Sequence, residues 1–161
     1  MNQAVLAAKT ETVKEISEKA KKSQTIVVCE YRGLTVAQIQ EVRRALHKEN
    51  AEMSVYKNSL VERAVDELGY NEMNDILKGP NAIVFSKDVI GGAKVIAKYA
   101  KRHKDILVVK GGVVEGKFVD AAGMLEVAKL PGKEGLISMF LSCLQAPIRS
   151  FACAVKAVAD K

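Results

Sequence analysis

The sequence predicts an α+β fold: a two-layer α/β sandwich with a mixed sheet over residues 1–130, followed by a projecting C-terminal helix. Three observations carry this reading. β-Branched runs alternate with helical patterns of ten to fifteen residues up to about residue 130. Pro131-Gly132 then forms a hinge. From Lys133 to Lys161 one helical periodicity takes over, long enough to reach about 40 Å at 1.5 Å per residue.

The elements follow in order. Thr12-Val13-Lys14-Glu15 has the hydroxyl-to-carboxylate spacing of a capping box, and a first helix ends near Lys22, with an earlier start left open. Thr25–Tyr31 is a β-branched run and a central strand. Gly33 ends it, and Thr35-Val36-Ala37-Gln38 caps a helix to about Glu49. Met53–Lys57 reads as a second strand. Ser59–Glu62 reads as a third capping box, opening a helix that stops at Gly69. A short helical turn at Met73–Leu77 leads to Gly79-Pro80 and a strand at Ala82–Phe85. Asp88 is placed to cap a helix to about His103. Ile106–Val109, Val113–Val114 and Lys117–Val119 read as strands, with a turn at Glu115-Gly116. Asp120 caps a short helix to Ala128.

At 161 residues the chain suits one domain plus an appendage. The net charge of +6 leans toward an anionic partner, but residues 1–70 hold 11 basic and 10 acidic side chains, so any nucleic-acid site is a local patch. Cys29, Cys143 and Cys153 form no CxxC pair, which fits a reducing cytosol. The first residues reach Lys9 and Glu11 too soon for a signal sequence. Leu136–Val158 approaches the length of a membrane span, but Gln145, Pro147, Arg149 and Lys156 interrupt it, so no membrane partner is expected.

Catalytic chemistry has little to work with. His47 and His103 sit among Arg and Lys with no patterned nucleophile or acid beside them. Gly111–Lys117 spells GxxxxGK, yet Phe118 stands where a phosphate loop needs Ser or Thr, and Glu115 would repel phosphate. A β-hairpin explains the stretch better. No enzyme activity, catalytic residue, cofactor or metal site is expected. The row Lys94, Lys98, Lys101, Arg102 and Lys104 reads first as a solvated helix face.

Two loops are more specific. In Tyr31–Thr35, Gly33 lets the backbone approach a ligand, the helix start offers unpaired N–H groups, and Arg32 can grip a phosphate. Tyr56-Lys57-Asn58-Ser59 repeats the layout. With Arg43, Arg44 and His47 further along the first helix, these residues could form a cationic patch suited to folded RNA.

The segment YRGLTVAQIQEVRRALHKENAEMSVYKNSLVERAV, the motif Leu77–Ala82, and the ending LPGKEGLISMFLSCLQAPIRSFACAVKAVADK occur in the order seen in bacterial large-subunit ribosomal protein ten, and the chain resembles that family over nearly its whole length. The resemblance implies a cytoplasmic ribosomal protein whose α/β domain anchors on large-subunit rRNA beside ribosomal protein eleven. It also implies that the C-terminal helix carries dimers of the acidic stalk protein, which recruit translational GTPases. Carried over by position, Arg32, Gly33, Lys57 and Asn58 fall in the RNA-side motifs.

On the arm, Ile137, Phe140, Leu141, Leu144, Ile148, Phe151, Val155 and Val158 recur at steps of three or four and line one helix face. Ala152, Ala154, Ala157 and Ala159 leave room for a partner helix, and Arg149, Lys156 and Lys161 favour an acidic one. Pro147 divides the arm into Leu136–Ala146 and Ile148–Val158, which suggests two docking segments and two dimers. Three rivals remain on sequence grounds: a nucleotide-using enzyme, a self-pairing helical oligomer, and an RNA-binding translational regulator acting on mRNA.

Overall fold

The structure, a computed structural model, describes residues 3–102 and 106–159. His103, Lys104 and Lys161 therefore lie outside the described residues. The chain forms two compact units, Met1–Lys129 and Leu130–Lys161.

In the first unit the elements run α1 (Gln3–Lys22), β1 (Thr25–Glu30), α2 (Val36–Lys48), β2 (Ala51–Ser54), α3 (Asn58–Leu68), a 3-10 turn (Asn71–Met73), β3 (Asn81–Ser86), α4 (Gly91–Arg102), β4 (Val108–Val114), β5 (Lys117–Asp120) and α5 (Ala121–Val127). The five strands make one sheet in the order β2-β3-β1-β4-β5.

The α+β class holds, with two differences from the sequence expectation. The sheet is not mixed, because every neighbouring pair is antiparallel. β1 and β2 do run the same way, as a strand–helix–strand pattern suggests, but β3 inserts between them and pairs with both. Nor are there only two layers. Every residue of β3 and the first five of β1 are buried, and successive side chains point to opposite faces, so both faces need cover. Val27, Cys29 and Val84 pack with Val42 and Leu46 of α2, Ile96 of α4 and Met124 of α5. On the other face Ile26, Val28 and Ile83 pack with Ile16 of α1 and Val61 and Ala64 of α3.

Local signals were met unevenly. The box at Thr35 forms in full: its hydroxyl accepts from the Gln38 N–H, and the Gln38 side chain accepts from the Thr35 N–H. Thr12 instead lies inside α1, where its hydroxyl donates to the Ala8 carbonyl at 2.9 Å. The Ser59–Glu62 box does not form, because α3 starts two residues earlier with Lys57 as its cap residue and no side-chain capping bond. Asp88 lies ahead of α4, which begins at Gly91. β2 is shifted to Ala51–Ser54, since Asn50 at φ 52° turns the chain straight out of α2 into the strand.

β4 is one strand where two short ones were expected. Its pairing with β1 slips between Val28 and Cys29, so Lys110 is the extra residue of a bulge. Gly111 there has φ 147°, and a Cβ on Gly112 would collide with the Ile26 carbonyl oxygen. Those close approaches, and not a phosphate cradle, account for the paired glycines. Glu115 and Gly116, at φ 50° and 81°, close the two-residue hairpin between Val114 and Lys117.

The second unit is α6, Lys133–Ala159, a single 27-residue helix that continues through Pro147.

Candidate RNA-facing edge and helical docking arm

Because β1 and β2 share a direction, their C-terminal ends leave the sheet at one edge. β3 and β4 start at that same edge. Four sequence motifs thereby meet: Tyr31–Thr35 after β1, Val55–Asn58 after β2, Lys78–Pro80 before β3, and Ile106–Leu107 before β4. The first two lie two strand spacings apart, roughly 10 Å.

Side chains tie these loops together. The Asn58 side-chain amide donates to the Gly79 carbonyl at 2.8 Å, joining the start of α3 to the turn before β3. Lys110 donates to the Lys78 carbonyl at 2.7 Å and to Asn81 Oδ1 at 2.9 Å, and pairs with Glu30 at 3.0 Å. The bulge that displaces Lys110 from the ladder is what lets it serve as this clamp. Gly33 holds φ 95°, and a Cβ there would sit 3.4 Å from Ile106, so the β1–α2 loop closes against the segment before β4.

Arg32, Gly33 and Lys57 are exposed and Asn58 is half-buried. The edge thus brings Arg32, Gly33, Lys57 and Asn58 into one rim, with Lys78 exposed beside them. Arg43 and Arg44 are exposed on α2 but roughly 10–12 Å further along its axis. His47 is further still, lining an open cavity of about 450 Å³ with Lys19, Lys22, Lys87 and Phe85. Lys110 and Lys78 were absent from the sequence-derived set. The only local sign of Lys110 was a lysine between a β-branched run and Gly-Gly, a pattern typical of a bulge.

On α6 the eight apolar positions from Ile137 to Val158 fall within an arc of about 100° at 3.6 residues per turn. All eight are exposed, from 51% at Ile137 to 76% at Val158, and a lone helix has nothing within its own unit to cover them. Gln145, Arg149 and Lys156 occupy another sector. Pro147 cannot donate to the Cys143 carbonyl, which lies on exposed backbone open to water. The helix is long and apolar enough, with a mean hydropathy of 1.4, to cross a membrane by length and composition alone.

Comparison with known proteins resolves the setting. The family pattern described as Ribosomal protein L10 matches residues 4–101, and that of the Ribosomal protein uL10 C-terminal region matches residues 130–161. The chain is similar to the large ribosomal subunit protein uL10 of Bacillus licheniformis, 45% identical over 159 residues covering 98% of this chain and 95% of that one. It is 48% identical over 158 residues to the protein of the same name from Bacillus cereus, with the same coverage. The chain belongs to the ribosomal protein L10 family and is a structural, non-enzymatic component of the large ribosomal subunit, at work in translation in the cytoplasm.

Proposed function

We propose that this chain is the anchor of a ribosomal stalk. The loop edge of the α/β unit holds large-subunit rRNA beside ribosomal protein eleven, and α6 carries dimers of an acidic stalk protein that recruit translational GTPases. The exposed apolar row of α6 is the observation that carries the reading. A soluble protein rarely leaves so long an apolar stripe uncovered unless another chain shelters it. Arg149 and Lys156 on the same helix suit an acidic partner. A ribosomal setting supports a protein partner for that surface over a bilayer.

At the edge, Arg32 offers a planar fork to phosphate, Lys57 a mobile ammonium, and Gly33 a close backbone approach ahead of the α2 N-terminus. Phosphate contacts of this kind position an RNA, and they work locally even where the surrounding sequence is nearly neutral.

No bond is made or broken. Each apolar anchor contributes roughly 1.5–3 kcal/mol on burial, before the losses of association. Tethered dimers then raise the local concentration of the factors they bind. Pull-downs test the division of labour. Phe151→Asp should release stalk protein and keep rRNA, whereas Arg32→Ala with Lys57→Ala should do the reverse. Two defects that always travel together would refute it. Native mass spectrometry should count two stalk dimers, one for each side of Pro147, and three would overturn the two-segment arrangement.

A further inference from the structure

We infer that the exposed face of α2 and α4 is a second RNA surface, one that holds the phosphate backbone of a duplex without reading its sequence. The inference rests on the rRNA reading above and extends that surface around the corner from the loop edge.

Charge is the first observation. α2 carries Arg43, Arg44 and Lys48, and α4 carries Lys94, Lys98, Lys101 and Arg102, against Glu41 alone. That surplus equals the whole formal net charge of the chain, +6. On the other face of the sheet α1 and α3 hold six basic and six acidic residues and cancel.

Pairing is the second. Among the described residues of α2 and α4, only Arg102 has a carboxylate within 4 Å, Glu41 at 3.3 Å. On α1, two of the five cations are neutralised. Lys19 pairs with Glu15 and Glu52, and Lys22 pairs with Glu18. Unpaired, clustered like charges repel one another, and a polyanion relieves that repulsion.

The third is continuity. Tyr99 donates to Glu41 at 3.1 Å and Arg102 joins the same carboxylate, fastening α4 to α2. β3 leads away from the loop edge and α4 returns toward it, so Lys101 and Arg102 lie near the end that carries Arg32. Gly33 closes on Ile106 at that corner. Two cationic rows, about 12 Å long on α4 and about 8 Å on α2 and roughly 8–10 Å apart, thus run on from the rim.

An acidic protein fits this face less well. A protein interface needs an apolar centre and is depleted in lysine, whereas nucleic-acid surfaces are polar and strongly positive. Among the described residues, Val36 at the start of α2 is the single large apolar side chain exposed on either helix.

Fluorescence anisotropy of the full chain tests the inference. The probes are large-subunit rRNA and an arbitrary RNA duplex of roughly 16 base pairs, titrated between about 50 and 200 mM salt. Lys94→Gln, Lys98→Gln and Lys101→Gln combined should flatten the slope of log affinity against log salt by about 2–3 for both probes, and weaken the duplex at least about tenfold. The matching triple Arg variant should keep the original slope. Arg32→Ala with Lys57→Ala should weaken rRNA much more than the duplex. An unchanged slope in the Gln variant, with rRNA still bound, overturns the second surface and leaves the rRNA reading standing. If the unmodified chain binds no rRNA, both readings fall. If the Gln variant loses the acidic stalk protein and keeps RNA, the face belongs to a protein and the inference is overturned.

Discussion

Phe151→Ala isolates the arm. Phe151 is 73% exposed in the chain alone, so its removal leaves no cavity in the α/β unit. Alanine favours the helix more than phenylalanine does, so α6 is not weakened. The loss should appear only when a partner covers the ring. A buried aromatic side chain covers about 150–250 Å², and the exposed fraction available here corresponds to roughly 2–3 kcal/mol of docking energy after the retained methyl is allowed for. That is a 30- to 150-fold rise in Kd, by about 1.4 kcal/mol per tenfold. Isothermal titration with stalk protein should show the weaker affinity only for the dimer on the Ile148–Val158 side, with the Leu136–Ala146 side unaffected. Thermal unfolding of the α/β unit should stay within about 1 °C of the unmodified protein, because a surface change there is near neutral. A lowered unfolding temperature, or an affinity change below about threefold, would refute the claim that this face is empty until a partner covers it.

Three further outcomes are expected. Gly112→Ala should destabilise the domain by about 3 kcal/mol or more, because its Cβ meets the Ile26 carbonyl and, at 2.8 Å, the Met124 methyl; chemical denaturation would measure this. Lys110→Met should cost about 1–3 kcal/mol by leaving Glu30, Asn81 and the Lys78 carbonyl without their shared donor, and should also weaken rRNA binding by loosening the edge, an effect that Lys110→Arg should partly rescue. Burial pushes the Cys29 thiol up to about 12, so in the native protein at pH 8 a thiol reagent should label Cys143 and Cys153 quickly and Cys29 only on unfolding.

The legible parts of this protein were those whose physics is local. The β-branched runs of β1 and β3, the Thr35 box, the Glu115-Gly116 turn and the apolar period of α6 each express themselves within a few neighbouring residues. Where a local signal failed, a longer-range term had won. Thr12 was absorbed into a longer helix that buries Val13 and Ile16 against the sheet, and the Ser59 box gave way to a helix beginning at Asn58, whose amide is used on Gly79. Lys110 was hidden because its role depends on a register slip against β1, which the chain signals only through the Gly-Gly that follows it.

By itself the sequence determined the class of fold, the separate C-terminal helix and the apolar face which that helix leaves exposed. Periodicity and side-chain chemistry are written residue by residue. Only the tertiary structure decided that β3 runs between β1 and β2, that helices cover both sides of the sheet, and that the motifs around Arg32, Lys57 and Lys78 share one edge. Those facts depend on which distant strands pair, a choice set by burial on both faces at once and carried by no single stretch of chain.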